Sequence, residues 1–80
     1  MPPFGEIIES PEELERKIRA IAEERARLIA SLPDVYRLPP PERAVRLAQI
    51  NARLSFLRTE LAILMAKYRV AIWRRRFTGR

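Results

Sequence analysis

Residues 47–71 read LAQINARLSFLRTELAILMAKYRVA, and this stretch decides the fold. Leu47, Leu54, Leu61 and Tyr68 recur every seven residues, with Ile50, Leu57, Leu64 and Ala71 three positions after each. An apolar pair repeating by three and four keeps to one side of an α-helix, so the stretch predicts a helix that buries this seam in coiled-coil-like packing. Working outward, no proline or glycine interrupts the sequence between Pro41 and Phe77. The expected helix therefore covers residues 41–77 without a break.

The same helix carries a second apolar stripe. Phe56, Ile63, Val70 and Phe77 also follow one another at intervals of seven, off the first seam across a wall of Arg53, Glu60, Lys67 and Arg74. The far side is small: Ala48, Ala52, Ser55, Thr59, Ala62 and Ala66. A helix that is apolar on two faces is normally covered on both, and a single partner helix covers one.

The N-terminal half supplies that one partner. Ser10-Pro11-Glu12-Glu13 is a helix start, with serine as N-cap, proline at the first helical position and Glu13 placed to complete a capping box. Leu14, Ile18, Ile21, Leu28 and Leu32 then form a seam with one skip at Arg25. The expected helix covers residues 11–32. Glu12–Arg16, Glu13–Lys17, Glu15–Arg19 and Glu23–Arg27 are spaced for i,i+4 ion pairs along it. Arg25 in the seam and Asn51 beside the other seam read as polar residues that set register.

Residues 33–40 contain Pro33, Pro39 and Pro40, which end one helix and delay the next, so the fold class is all-α and the architecture an antiparallel two-helix hairpin. Val35, Tyr36 and Leu38 are expected to pack across its closed end. Residues 1–9 form an arm whose Phe4, Ile7 and Ile8 are placed to cover part of the second stripe, and residues 78–80 form a tail. At about 1.5 Å per residue the second helix measures about 55 Å and the first about 33 Å. A tight hairpin would leave Ile63 to Phe77 overhanging, and a chain of this shape is expected to assemble into a helical bundle or larger oligomer.

Composition excludes most chemistry. The 80 residues include neither cysteine nor histidine, which removes disulfides, thiolate nucleophiles and the commonest metal ligand. There is no glycine-rich phosphate loop and no set of residues for acyl transfer. Catalytic, cofactor-binding and metal-binding residues are accordingly expected to be none, and no enzyme activity or small-molecule substrate is expected. Glu60, mid-helix between the two stripes, is expected to pair with Arg53, Lys67 or an arginine from a neighbour. No apolar run is long enough to span a bilayer, and the first residues lack the basic start of a signal peptide, so the expected location is the cytoplasm or the inside of an assembled particle.

The net charge of +6 is lopsided. Residues 1–40 hold eight acidic and six basic side chains, residues 41–80 two and ten. A basic surface of this kind fits an acidic partner. The functional expectation is a non-enzymatic assembly or interaction module that self-associates or docks on a larger complex, with Phe56, Ile63, Met65, Val70, Ile72, Trp73 and Phe77 at the interface. The alternative is a small nucleic-acid-binding protein touching phosphates through Lys67, Arg69, Arg74, Arg75, Arg76 and Arg80, with interleaved aromatics stacking on bases. The two-striped helix fits a subunit of a virus particle or larger complex, whereas the regular start and charge pairing of the first helix match those of designed proteins.

Overall fold

A computed structural model of the chain describes residues 9–78, and among them every regular element is helical. Helix α1 spans Pro11–Ala30, a single turn α2 spans Leu32–Val35, and α3 spans Pro40–Thr78. Helices α1 and α3 pack against each other, and α2 rests on both. The backbone measures 58 × 23 × 14 Å. Its long dimension is that of α3 itself, about 58 Å for 39 residues at 1.5 Å each. The thin dimension leaves room for one layer of helices.

Local chemistry accounts for each boundary. The Ser10 hydroxyl accepts from the Glu13 backbone N–H at 3.1 Å, satisfying one of the unpaired donors of the first turn. At the other end the Ser31 N–H donates to the Arg27 and Leu28 carbonyls, and its hydroxyl to the Leu28 carbonyl at 2.7 Å. Helix α1 ends at Ala30, two residues short of the expected Leu32, and Pro33 opens a further turn that the sequence did not suggest. That proline occupies the first turn of α2, where a missing N–H costs nothing, and Val35 and Tyr36 close that turn onto Ser31 and Leu32. The same logic lets Pro40 and Pro41 both lie inside the start of α3, one residue earlier than the sequence predicts; Arg43 N–H donates to the Pro39 carbonyl at 2.8 Å.

The core follows the seam. Ile50, Leu57, Leu64 and Ala71 are buried, while Leu47, Leu54, Leu61 and Tyr68 are half-buried beside them. From α1, Leu14 is 1% exposed and clusters with Leu64 and Ala71, with Ile18, Ile21 and Tyr68 packed around them. Burial of this order stabilises each large aliphatic side chain by about 1.5–3 kcal/mol relative to exposure.

The overhang expected from the helix lengths is largely absent. Leu14 lies against Leu64 and Ala71, and Glu12 reaches Arg75, so α1 runs beside most of the segment from Ile63 onward. The connector is the reason. With α2 built into it, residues 31–39 occupy axial length along the first turns of α3, where Leu38 lies beside Pro41, Val45 and Gln49. Helix α1 is thereby shifted toward the far end. The closed end is also looser than expected: Val35 is buried, but Tyr36 and Leu38 are exposed. Arg25, read as a seam residue, and Asn51, read as lying beside one, are both exposed. The arm residues Phe4, Ile7 and Ile8 lie outside the described residues.

Candidate interaction face

Three polar contacts between α1 and α3 fix which side of α3 remains open. Arg53 clamps Glu24 through two parallel bonds, Nε to Oε2 at 2.6 Å and Nη2 to Oε1 at 3.0 Å. The Tyr68 hydroxyl donates to Glu15 Oε2 at 2.7 Å. Arg75 holds Glu12 with a second paired contact, at 2.7 and 3.0 Å. All three border the buried seam. A fourth tie comes from the arm, where the Glu9 carboxylate pairs with Lys17 of α1 and lies 3.8 Å from Lys67 of α3.

The carboxylates register these contacts. The Arg75 hydrogen bond lowers the Glu12 pKa from the ordinary 4.5 to about 2. The Lys17 hydrogen bond lowers that of Glu9, and the Arg53 hydrogen bond that of Glu24. Tyr68 moves the other way, because its hydrogen bond to Glu15 requires the protonated phenol. These are exposed pairs, and exposed ion pairs orient more than they stabilise.

The pairing differs from the i,i+4 pattern expected within α1. Glu12 and Glu15 reach across to the other helix instead of to Arg16 and Arg19. Glu60 is half-buried, but the two partners expected on its own helix are engaged elsewhere, Arg53 with Glu24 and Lys67 with Glu9. Its charge adds to the raised pKa values of Lys17 and Arg53. The sequence did contain a signal for the cross-helix pairs: acidic residues border the α1 seam and basic residues the α3 seam. Which acid meets which base depends on the axial shift of α1.

With its seam turned to α1, α3 presents its opposite side outward. At 100° per residue, Phe56, Ile63, Val70 and Phe77 fall next to the small column of Ala48, Ala52, Ser55, Thr59, Ala62 and Ala66. All ten are exposed. Val45 extends the face at one end and Trp73 at the other, both 60% exposed, giving an uncharged strip about 42 Å long between them. The Thr59 hydroxyl bonds back to the Ser55 carbonyl at 3.3 Å, so its donor is satisfied within the helix. The larger side chains form a ridge beside a groove of small ones. Arg53 lies over the Phe56 ring at 5.0 Å, so the clamp on Glu24 also braces the ridge. Trp73 and Phe77 contact each other at the far end with ring centroids 4.8 Å apart.

The other candidate positions divide. Met65 is exposed and lines a shallow depression against α1 with Glu15, Ile18 and Tyr68, while Ile72 is half-buried and lines another on α3 with Tyr68, Arg69, Trp73 and Arg76. Among the candidate anion contacts, Arg75 and Lys67 are turned to Glu12 and Glu9. Arg69, Arg74 and Arg76 are exposed, and Arg80 lies outside the described residues. Among the described residues no group of acidic side chains is placed to hold a metal ion, and no helix is long and apolar enough to cross a membrane. Comparisons with protein-family models, curated proteins and solved structures find no match for this chain.

Proposed function

We propose that the chain is a non-enzymatic helical interaction module that docks through the outer face of α3. The observation that carries this reading is the strip from Val45 to Trp73, exposed along its whole length and without a charged residue. Exposed apolar residues scattered singly are ordinary, whereas a continuous face of this length marks a surface built to be covered. Its relief supports a helix as the covering element, because a row of large side chains beside a row of small ones is the surface into which another helix interdigitates. Coiled-coil-like packing within a larger bundle is the assembly this relief favours.

The rival reading, contact with nucleic-acid phosphates through the basic end of α3, draws less support from the geometry. Two of its cations are turned to carboxylates of the same chain, Arg75 to Glu12 and Lys67 to Glu9. The remaining charge is arranged as borders of an apolar strip and not as a continuous basic patch.

Photo-crosslinking in the native host tests the proposal. A photoreactive residue at position 62, on the outer face of α3, is expected to give a discrete crosslinked protein. The same residue at position 23, on the outer face of α1, is expected to give none. Equal crosslinking from both positions, or none from position 62, would overturn it.

A further inference from the structure

The borders of the outer face say what kind of helix covers it. Along one edge run Arg58, Arg69 and Arg76, all exposed and engaging no acid among the described residues. They span about 27 Å of the helix axis and fall nearly on one line, since intervals of eleven and seven residues are close to three and two turns. The opposite edge carries Arg53, Lys67 and Arg74, interrupted only by Glu60.

A second copy of the chain is a poor occupant on these grounds. Set antiparallel on the face, its Arg58–Arg69–Arg76 edge would meet the same edge. Set parallel, that edge would meet Arg53 and Lys67, already turned to Glu24 and Glu9, and a single carboxylate, Glu60. Either arrangement offers the three arginines at most one unpaired carboxylate, whereas an acid-bordered helix offers one to each. The outer side of α1 is no better a match, since Arg16, Arg19, Glu23 and Arg27 make it charged where the face of α3 is apolar.

From this charge arrangement, and resting on the docking function proposed above, we infer that the occupant is an amphipathic helix of a different protein, bordered by carboxylates. Its apolar ridge fills the Ala52–Ala62 groove, and acidic residues spaced by eleven and seven meet Arg58, Arg69 and Arg76. The apolar strip supplies contact area and the arginine edge selects the partner. Of the two modes of assembly the sequence suggests, self-association and docking on another protein, the charges select the second.

Trp73, the only tryptophan, lies on the face and serves as the reporter. The probes are two synthetic helices of about 28 residues, long enough to span the strip, with the same leucine ridge and either glutamate or lysine borders. The glutamate-bordered peptide is expected to shift Trp73 emission to the blue and to bind roughly tenfold or more tighter than the lysine-bordered one. Raising salt from about 0.05 to about 0.5 M should shrink that preference. The variant Ala62→Gln, which fills the groove without changing charge, should lose binding while keeping its thermal melt. The double variant R58E/R69E should reverse the preference.

Equal binding of both peptides, or light scattering that shows a stable dimer abolished by Ala62→Gln, would overturn the acidic partner and leave the docking function standing. No binding of either peptide and no dimer, or a Trp73 shift only with vesicles of phosphatidylcholine and phosphatidylserine, would overturn both.

Discussion

The two helices of this hairpin are alike on their inner sides and opposite on their outer ones. Helix α1 turns a charged side outward, where Arg16, Arg19, Glu23 and Arg27 are interspersed with the small Ala20 and Ala26, a surface at ease in water. Helix α3 turns a second uncharged face outward. Only one of the two helices is finished by the hairpin. A seam alone holds two helices together, whereas a seam with an equally apolar reverse side makes a helix that sits in the middle of something.

The neighbours Leu57 and Phe56 give the sharpest test of that contrast. Leu57 is 2% exposed and Phe56 51%. Leu57→Ala should cost about 2–5 kcal/mol, enough to unfold a small hairpin in a urea titration followed by circular dichroism. Phe56→Ala in the isolated chain should stay within about 0.5 kcal/mol of the parent. Comparable losses would mean that the outer face is already covered in the free protein. The contrast next predicts that Ala62→Gln on α3 removes docking of the glutamate-bordered peptide, while Ala26→Gln on α1 leaves it unchanged.

A smaller effect tests the polar ties. The folded-state pKa of Glu12 is lowered to about 2, so its contribution is complete above the ordinary 4.5 and is lost as pH falls from there toward 2. The melting temperature should decline over that interval, and by less in Glu12→Gln, whose melt at neutral pH should already be lower. An identical acid profile for the two proteins would remove Arg75–Glu12 as a register tie. The smallest effect is expected at Arg25 and Asn51. Both are exposed, so alanine at either should shift stability by no more than about 0.5 kcal/mol. A larger loss would restore their reading as polar residues that set register.

Those last two positions show where sequence reasoning succeeds and where it fails. The α3 seam could be read off position by position, because heptad spacing on a helix is a local property and all eight residues turned out buried or half-buried. Applied to α1, the same counting put Arg25 in the seam. Neighbouring Glu24 makes the cross-helix contact instead, because the guanidinium of Arg53 is within its reach. Likewise Phe56, Ile63 and Val70 could be recognised as a separate stripe, but that nothing in the described residues covers them required knowing where α1 lies.

The residues alone determine the two long helices, the Ser10 cap, the α3 seam and the two-sided character of α3. Each follows from backbone geometry and side-chain chemistry within a few turns of one element. The tertiary structure decides the axial position of α1, and through it the near-disappearance of the overhang, the partners of Glu12, Glu15 and Glu24, and the length of face left open. Such quantities depend on how far a short helical turn at Pro33 carries the chain before Pro40. Nothing in the heptad pattern encodes that distance, because a seam that repeats every seven residues matches a partner nearly as well one repeat further along.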